Sequence, residues 1–473
     1  MSLTTDIPMS RIDARIPLSV RETIDRAAAM QGRTRTDFLI AEELMAEVNA
    51  EHQAIEKPEV AVEPYSQYVA PRGSVEQDLT PAEPNPDGSL SVEQAQFDIN
   101  SLFDTLHKYY GLYDFYGGDE VFEAARQQAL ADCESAQMMD ADVLQQIILD
   151  NLSFITDQHF LVGGEHPSSG IYPCFFTEVA FQKTEDGYST ADGKLVESVD
   201  GQNNLDELFK RSLTREGEIV YWPITFAASE EAKNDPPSLT VHYTDSSEQT
   251  LTAMAYESPE ADPEVEDIEL HDEEGIPVLY AKSLTSQNFV NFALEMQEEA
   301  NVIDLTSNTG GYMPIGLEWL EKYVGEIVPT NSFFIRNQQN TGNPSSASDE
   351  IIGVKTENGW TMLNIYPDDF IENENLLIIL TSKKTASAAE MLVDASRNVQ
   401  NTLIIGENTA GCMLGNKYTY IPLVYSRINV TYGNIVTIFP EEDFTEGYGY
   451  EPDLWCPAVW AQEAAVHFLN KQL

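Results

Sequence analysis

The chain has 473 residues, with 79 acidic against 26 basic side chains and a formal charge of −53. That balance excludes a protein whose main surface binds nucleic acid, because neutralising phosphates needs clustered Lys and Arg. At 42 % hydrophobic and 10 % aromatic residues the chain can still build proper cores, which excludes wholesale disorder, and its length predicts two to four domains. No apolar run approaches the ~18 residues of a membrane span. The N-terminal stretch lacks a basic start followed by an apolar run, so no secretory leader is expected. Cys133, Cys174, Cys412 and Cys456 are scattered without a CxxC pair, which predicts neither a disulfide framework nor a zinc site.

The first predicted element is Arg11 to Ile16, which alternates polar and apolar residues as a half-buried strand does. Pro17 ends it, Ser19 caps a helix through Met30, and Gly32 stops that helix. Thr34 or Thr36 caps a second helix carrying Phe38, Leu39, Leu44 and Val48. The segment RIDARIPLSVRETIDRAAAMQGRTRTDFLIAEEL and the following EHQAIE resemble the ribbon–helix–helix antitoxins that pair with acetyltransferase toxins. The resemblance covers roughly a tenth of the chain. It implies a homodimer through the strand, with Arg11, Asp13 and Arg15 facing a DNA major groove. A merely dimerising or fused segment is the alternative. Residues 1–52 form this unit.

Residues 53–92, rich in Pro, Glu, Ser and Asp, read as an extended linker. Residues 93–166 return to helical spacing in three predicted helices, one from Phe97 past Tyr110, one over Asp119–Ala131 and one over Ala141–Phe154. Residues 167–262 are β-rich and punctuated by Gly187, Gly193, Gly201 and Gly217; within them GKLVESVDGQNNLDELFKRSLTREGEIVYWPITF resembles a degenerate PDZ-type module. From 263 to 473, apolar strands alternate with amphipathic helices, the pattern of an α/β domain. Strands are predicted at 277–284, 301–306, 375–381 and 402–406, with a strand pair in 418–439. Helices are predicted at 286–299, 314–324, 386–397 and 459–471.

Three loops in this last region can carry chemistry. Asn308-Thr309-Gly310-Gly311 follows a strand, and its glycines let backbone amides approach a developing oxyanion; an ordinary strand-to-helix turn would look the same. Thr385-Ala386-Ser387-Ala388-Ala389-Glu390 puts Ser387 at a helix N-terminus, where the helix dipole and the Ala388 amide favour an anion. Spacing alone leaves Ser387 open as nucleophile or plain cap. Glu446 to Asp453 is a Gly-rich turn carrying several carboxylates.

Together these loops resemble the serine peptidases of the C-terminal processing and tricorn-core type. The carrying motifs are DLTSNTGG (304–311), TASAAE (385–390), GENTAG (406–411) and EGYGYEPD (446–453), with Asp157-Gln158-His159 upstream, all in the family's order. The resemblance implies a crotonase/Clp-like ββα core, with the helical subdomain, the PDZ-like insert and the ribbon–helix–helix-like unit appended. It implies catalysis by Ser387, with His159 as general base and Glu446 orienting, and an oxyanion hole from Gly310, Gly311 and Ala388. The Ser–Lys branch of the family has a lysine where this chain has Cys412, and Lys417 lies further on, so the resemblance points to the Ser–His branch. Members of that branch carry a serine before the histidine, where Gln158 stands here with Asp157 beside it, so the link to Glu446 runs directly or through water.

The other histidines lack such context; His159 and His166 do not form an HExxH pair, so no metal is expected, and no motif calls for a cofactor. Lys383 and Lys384 are expected to face solvent, within reach of a substrate carboxylate. The implied substrate is a peptide or an unfolded protein segment. Two rival readings are a non-catalytic ligand-binding member of the superfold and a DNA-binding regulator acting through residues 1–52. As written the chain reads as cytoplasmic, although such peptidases often work outside the cytoplasm. Without its first fifty residues the chain retains 20 basic and 71 acidic residues, a charge of −51, so the peptidase half carries nearly all of the charge.

Overall fold

The computed structural model describes residues 35–55, 80, 82–83, 85, 88–168, 170–260, 266–337, 353–355, 360–363, 370–439 and 444–472. The predicted strand 11–16 and first helix, with Arg11, Asp13 and Arg15, therefore lie outside the described residues, as does most of the linker.

The described residues form a mixed α/β structure built on two large sheets. The first has eleven strands, and its centre runs Ile276–Ala281, Ala300–Asp304, Leu376–Thr381, Thr402–Gly406, Leu454–Trp455 and Phe209–Leu213. Each neighbouring pair in that run is parallel. Buried parallel strands need cover on both faces. Ala300–Asp304 and Thr402–Gly406 are accordingly buried along their whole length. One face packs against the helices Gln287–Asn291, Met313–Val324 and Ala388–Ser396 through Trp319, Leu320, Leu392 and Val393. The other packs against helix Ala461–Gln472 and helix Arg35–Gln53, which contributes Leu44 and Val48. Beyond Phe209–Leu213 the sheet continues antiparallel through Ile219–Ala228, Phe181–Thr184 and Gly187–Thr190, so it runs from the 263–473 region into the 167–262 region. A separate three-stranded sheet, Val196–Val199, Ser238–Tyr243 and Glu248–Thr252, completes that part of the chain.

The second large sheet is antiparallel and is centred on Asn429–Ile438, which pairs with Gly415–Pro422, Phe333–Asn337 and the short strand Leu161–Val162. The three helices Val92–Tyr109, Gly118–Ser135 and Ala141–Asn151 pack on it, with Ile99, Leu102, Leu106, Phe122, Leu144 and Ile148 meeting Val430, Tyr432 and Val436. A Ser91–Gln94 capping box opens the first helix, and the Asp140 carboxylate accepts from the Val143 amide to open the third.

One predicted helix is cut short. The 286–299 pattern gives α-helix only over Gln287–Asn291, followed by a single 3₁₀ turn, Phe292–Leu294. Glu295, Glu298 and Glu299 would crowd the negative end of a longer helix dipole.

Candidate active site

The site lies where the two large sheets meet. Ser387 follows strand Leu376–Thr381 and opens helix Ala388–Ser396, and its backbone is held at φ +55°, ψ −116°. A positive φ is unfavourable for a residue with a Cβ, and a strained strand-to-helix turn is how a nucleophilic hydroxyl is lifted clear of its own helix. His159 comes from the other sheet. It stands in the turn after helix Ala141–Asn151, just before strand Leu161–Val162, and its carbonyl accepts from the Thr431 hydroxyl at 3.0 Å. The two side chains meet with His159 Nε2 3.0 Å from Ser387 Oγ.

On the far edge of the imidazole, Nδ1 lies 3.4 Å from Cys412 Sγ. Burial, reinforced by nearby His166, pushes the His159 pKa down to about 4. The ring is thus neutral and able to accept a proton across the physiological range. Burial and the nearby carboxylates Glu446, Glu390 and Asp157 push the Cys412 thiol well up, so it is a neutral neighbour rather than a thiolate.

Glu446 bonds to the main chain on both sides of the imidazole. Its Oε1 accepts from the Gln158 amide at 2.8 Å, and its Oε2 accepts from the Met413 and Leu414 amides at 3.1 and 2.8 Å. It ties the turn before His159 to the segment after Cys412. Burial is also the main cause that raises its pKa. The Gln158 side chain turns back to the Thr156 carbonyl, 3.0 Å away. Asp157 accepts from the His159 amide at 3.0 Å and from the Tyr110 hydroxyl at 2.9 Å. A Cβ at Gly415 would sit 2.5 Å from the Asp157 carboxylate, which would have to shift to admit it.

Around Ser387, the Gly310 amide is already spent on Asn308 Oδ1 at 2.8 Å. A Cβ on Gly310 would fall 2.9 Å from that of Ser387, so glycine is what lets this loop close over Ser387. Gly311 follows at φ +147°. The Ala388 amide is at the first position of its helix, where backbone donors have no intrahelical acceptor.

Two residues given no catalytic part in the sequence turn out to hold the loops together. Glu390 is fully buried. Its Oε2 accepts from the Ser387 and Cys412 amides at 2.9 and 2.8 Å, and its Oε1 from the Thr409 hydroxyl and the Gly411 amide at 2.6 and 2.7 Å. The S-x-x-E spacing of a capping box was the available signal. Lys383, expected in solvent, is instead enclosed. Its Nζ donates to the carbonyls of Thr409, Ala410, Gly447 and Tyr448 at 2.7, 3.2, 3.2 and 3.0 Å, and burial lowers its pKa to about 8. Lys384 likewise turns inward, donating to the Pro259 carbonyl at 2.6 Å. The backbone of these loops supplies acceptors that water would otherwise have to satisfy, and the two lysines fill them. Among the described residues no cluster of His, Cys, Asp and Glu could hold a metal ion.

With this geometry in view, comparisons with known proteins identify two regions of the chain. Residues 277–455 match the family model of peptidase family S41, and residues 11–58 match that of the antitoxin TacA 1-like family. The resemblance to a peptidase read from the sequence motifs therefore coincides with a family match over residues 277–455. No curated protein matches the chain. Among solved structures, mature CPAF is 14 % identical, with 81 % of this chain and 97 % of that one covered and a TM-score of 0.43. The photosystem II D1 C-terminal processing protease is 13 % identical, with 77 % and 93 % covered and a TM-score of 0.36. The tricorn protease is 12 % identical, with 79 % and 35 % covered and a TM-score of 0.35. Among the described residues no helix is long and apolar enough to cross a membrane.

Proposed function

We propose that the chain is a serine peptidase of the Ser–His type that hydrolyses peptide bonds in peptides or unfolded segments through an acyl-enzyme on Ser387. The observation that carries this is the 3.0 Å approach of His159 Nε2 to a Ser387 hydroxyl held in a strained turn. Ser387 Oγ attacks the scissile carbonyl and passes its proton to His159 Nε2. The tetrahedral intermediate collapses as the imidazolium returns that proton to the leaving amine, and water then repeats the sequence to release the acid. The amides of Gly311 and Ala388 are the donors for the oxyanion. Gly310, its own amide committed to Asn308, shapes the loop.

Glu446, Asp157 and the Gln158 backbone act by fixing the turn that carries His159. Glu446 therefore orients the base through the main chain rather than by a bond to the ring. Cys412 beside Nδ1, where a carboxylate would stiffen the imidazolium, favours the alternative of a ligand-binding protein with an idle site. A fluorophosphonate probe separates the two, since only an activated hydroxyl is phosphonylated. Labelling of the native protein that disappears in Ser387→Ala is expected. An unlabelled, folded native protein would mean that the site only binds.

A further inference from the structure

Helix Arg35–Gln53 falls within the antitoxin-like match, yet the structure uses it as part of the peptidase. Its buried stripe, Leu44, Val48 and His52, recurs every four residues, the spacing of one helix face. Leu44 and Val48 cover the same sheet face as Leu403, Ile405 and Leu454, a face that the helix Ala461–Gln472 alone would leave partly bare.

The polar contacts are more specific than the packing. Asn49 Oδ1 accepts from the Asn401 amide at 2.9 Å, and Asn49 Nδ2 donates to Asn401 Oδ1 at 3.1 Å. Asn401, at φ +60°, leads from the turns after the Ser387 helix into strand Thr402–Gly406, which feeds the GENTAG loop. His52 Nε2 lies 2.9 Å from Asp453 Oδ1. The other Asp453 oxygen accepts from the Ile404 amide at 2.7 Å, and its own amide donates to the Ile404 carbonyl at 2.9 Å. Asp453 closes the segment that begins at Glu446. Arg211, on the strand beyond Leu454–Trp455, meets Glu47 and Glu51 of the helix at 3.3 and 3.0 Å.

One helix thus holds three adjacent strands, and two of them lead directly into or out of the loops that seat Glu390, Cys412 and Glu446. We propose that His52 is a positioning residue for the active site, acting through Asp453 on the 446–453 loop, so that turnover depends on the antitoxin-like helix being docked. A cut-off helix would leave the half-buried Asp453 carboxylate with one partner fewer, and the loop free to drift. Displacements of about 1 Å at a catalytic group can cost on the order of a hundredfold in rate. The inference rests on the peptidase reading for its kinetic arm only.

The test is His52→Ala in the full chain, with His52→Gln as the variant that restores an N–H at the position of Nε2. Expected for His52→Ala is a fall in kcat of about tenfold with KM within about twofold, and substantial recovery in His52→Gln. Amide hydrogen exchange should quicken over 446–453 and 406–414, and stay unchanged over the helix Val92–Tyr109. Native kcat together with native exchange in His52→Ala would overturn the proposal, as would a rate loss matching the unfolded fraction. If the native protein hydrolyses no peptide, the peptidase reading fails on its own and the exchange measurement still decides the role of His52.

Discussion

The helical region 92–151 and the loops around Ser387 are built on opposite terms. The helices bury Ile99, Leu102, Leu106, Phe122 and Leu144 against one another and the second sheet, with Asp98, accepting from the Tyr425 and Ser426 amides, as a rare buried charge. Around Ser387, the loops and the elements they join bury Glu390, Glu407, Asp304, Asn408 and Thr409, and enclose Lys383. In the first region, burial itself stabilises. In the second, each buried charge costs desolvation and is tolerated because it accepts or donates several bonds at once. Apolar packing gives the molecule its stability, whereas the polar loops trade some of it for fixed positions.

The comparison is broken most directly at Ser387. Ser387→Ala should cut kcat/KM by about a thousandfold or more, with little change in thermal midpoint. Ser387→Gly should be equally inactive yet about 1 kcal/mol more stable, because glycine relieves the positive φ. A calorimetric scan showing Ser387→Gly no more stable than Ser387→Ala would remove the claim of strain. In the helical region the outcome should invert. Leu102→Ala should cost about 2–5 kcal/mol in urea unfolding while the kcat of the folded molecules stays native.

Glu390→Gln sharpens the contrast. An amide cannot accept from all four donors, so a loss of about 1–3 kcal/mol is expected together with slower fluorophosphonate labelling. Stability lost without any change in labelling would make Glu390 a purely structural residue.

The pH dependence separates the regions next. With its pKa near 4, His159 remains a free base well below 6.5, so the acid limb of kcat/KM should lie below 6.5. The unfolded chain takes up that proton near 6.5 and the folded one only near 4. This group therefore withdraws stability as pH falls through that window. A rate profile whose acid limb stands at 6.5 or above would contradict the buried, neutral imidazole. The smallest effect belongs to Cys412→Ser. The thiol is uncharged, so kcat should change by no more than about threefold, and a larger loss would give the sulfur a direct part in holding His159.

Strands followed by chemistry-bearing loops were readable from local pattern, because a buried parallel strand, two glycines and a serine before an amphipathic helix leave their mark within a few residues. Strand Thr402–Gly406 has the predicted bounds, and the Ser387 helix starts two residues later than expected. What could not be read depends on partners far along the chain. Lys383 looks like any surface lysine until carbonyls of residues 409, 410, 447 and 448 close around it. Cys412 and His159 lie 253 residues apart, and no periodicity predicts that they touch. The route of Glu446 to the base was open for the same reason, since main-chain amides leave no trace in a sequence. Leu44 and Val48 were visible as an apolar stripe, but the pattern did not say which surface they would meet.

That stripe also sets an order of events during synthesis. Helix Arg35–Gln53 is synthesised before the strands it docks on, and Asn49 and His52 bind residues 352 and 401 positions further on. Domains generally fold as units once their last residues have emerged. At about 5–20 residues per second, Leu44 and Val48 are made roughly 20–80 s before their dock exists. During that interval their apolar face is open to whatever else is present, a chaperone or a second nascent copy. The loops around Ser387 can tighten only after the strands that follow them arrive and reclaim it.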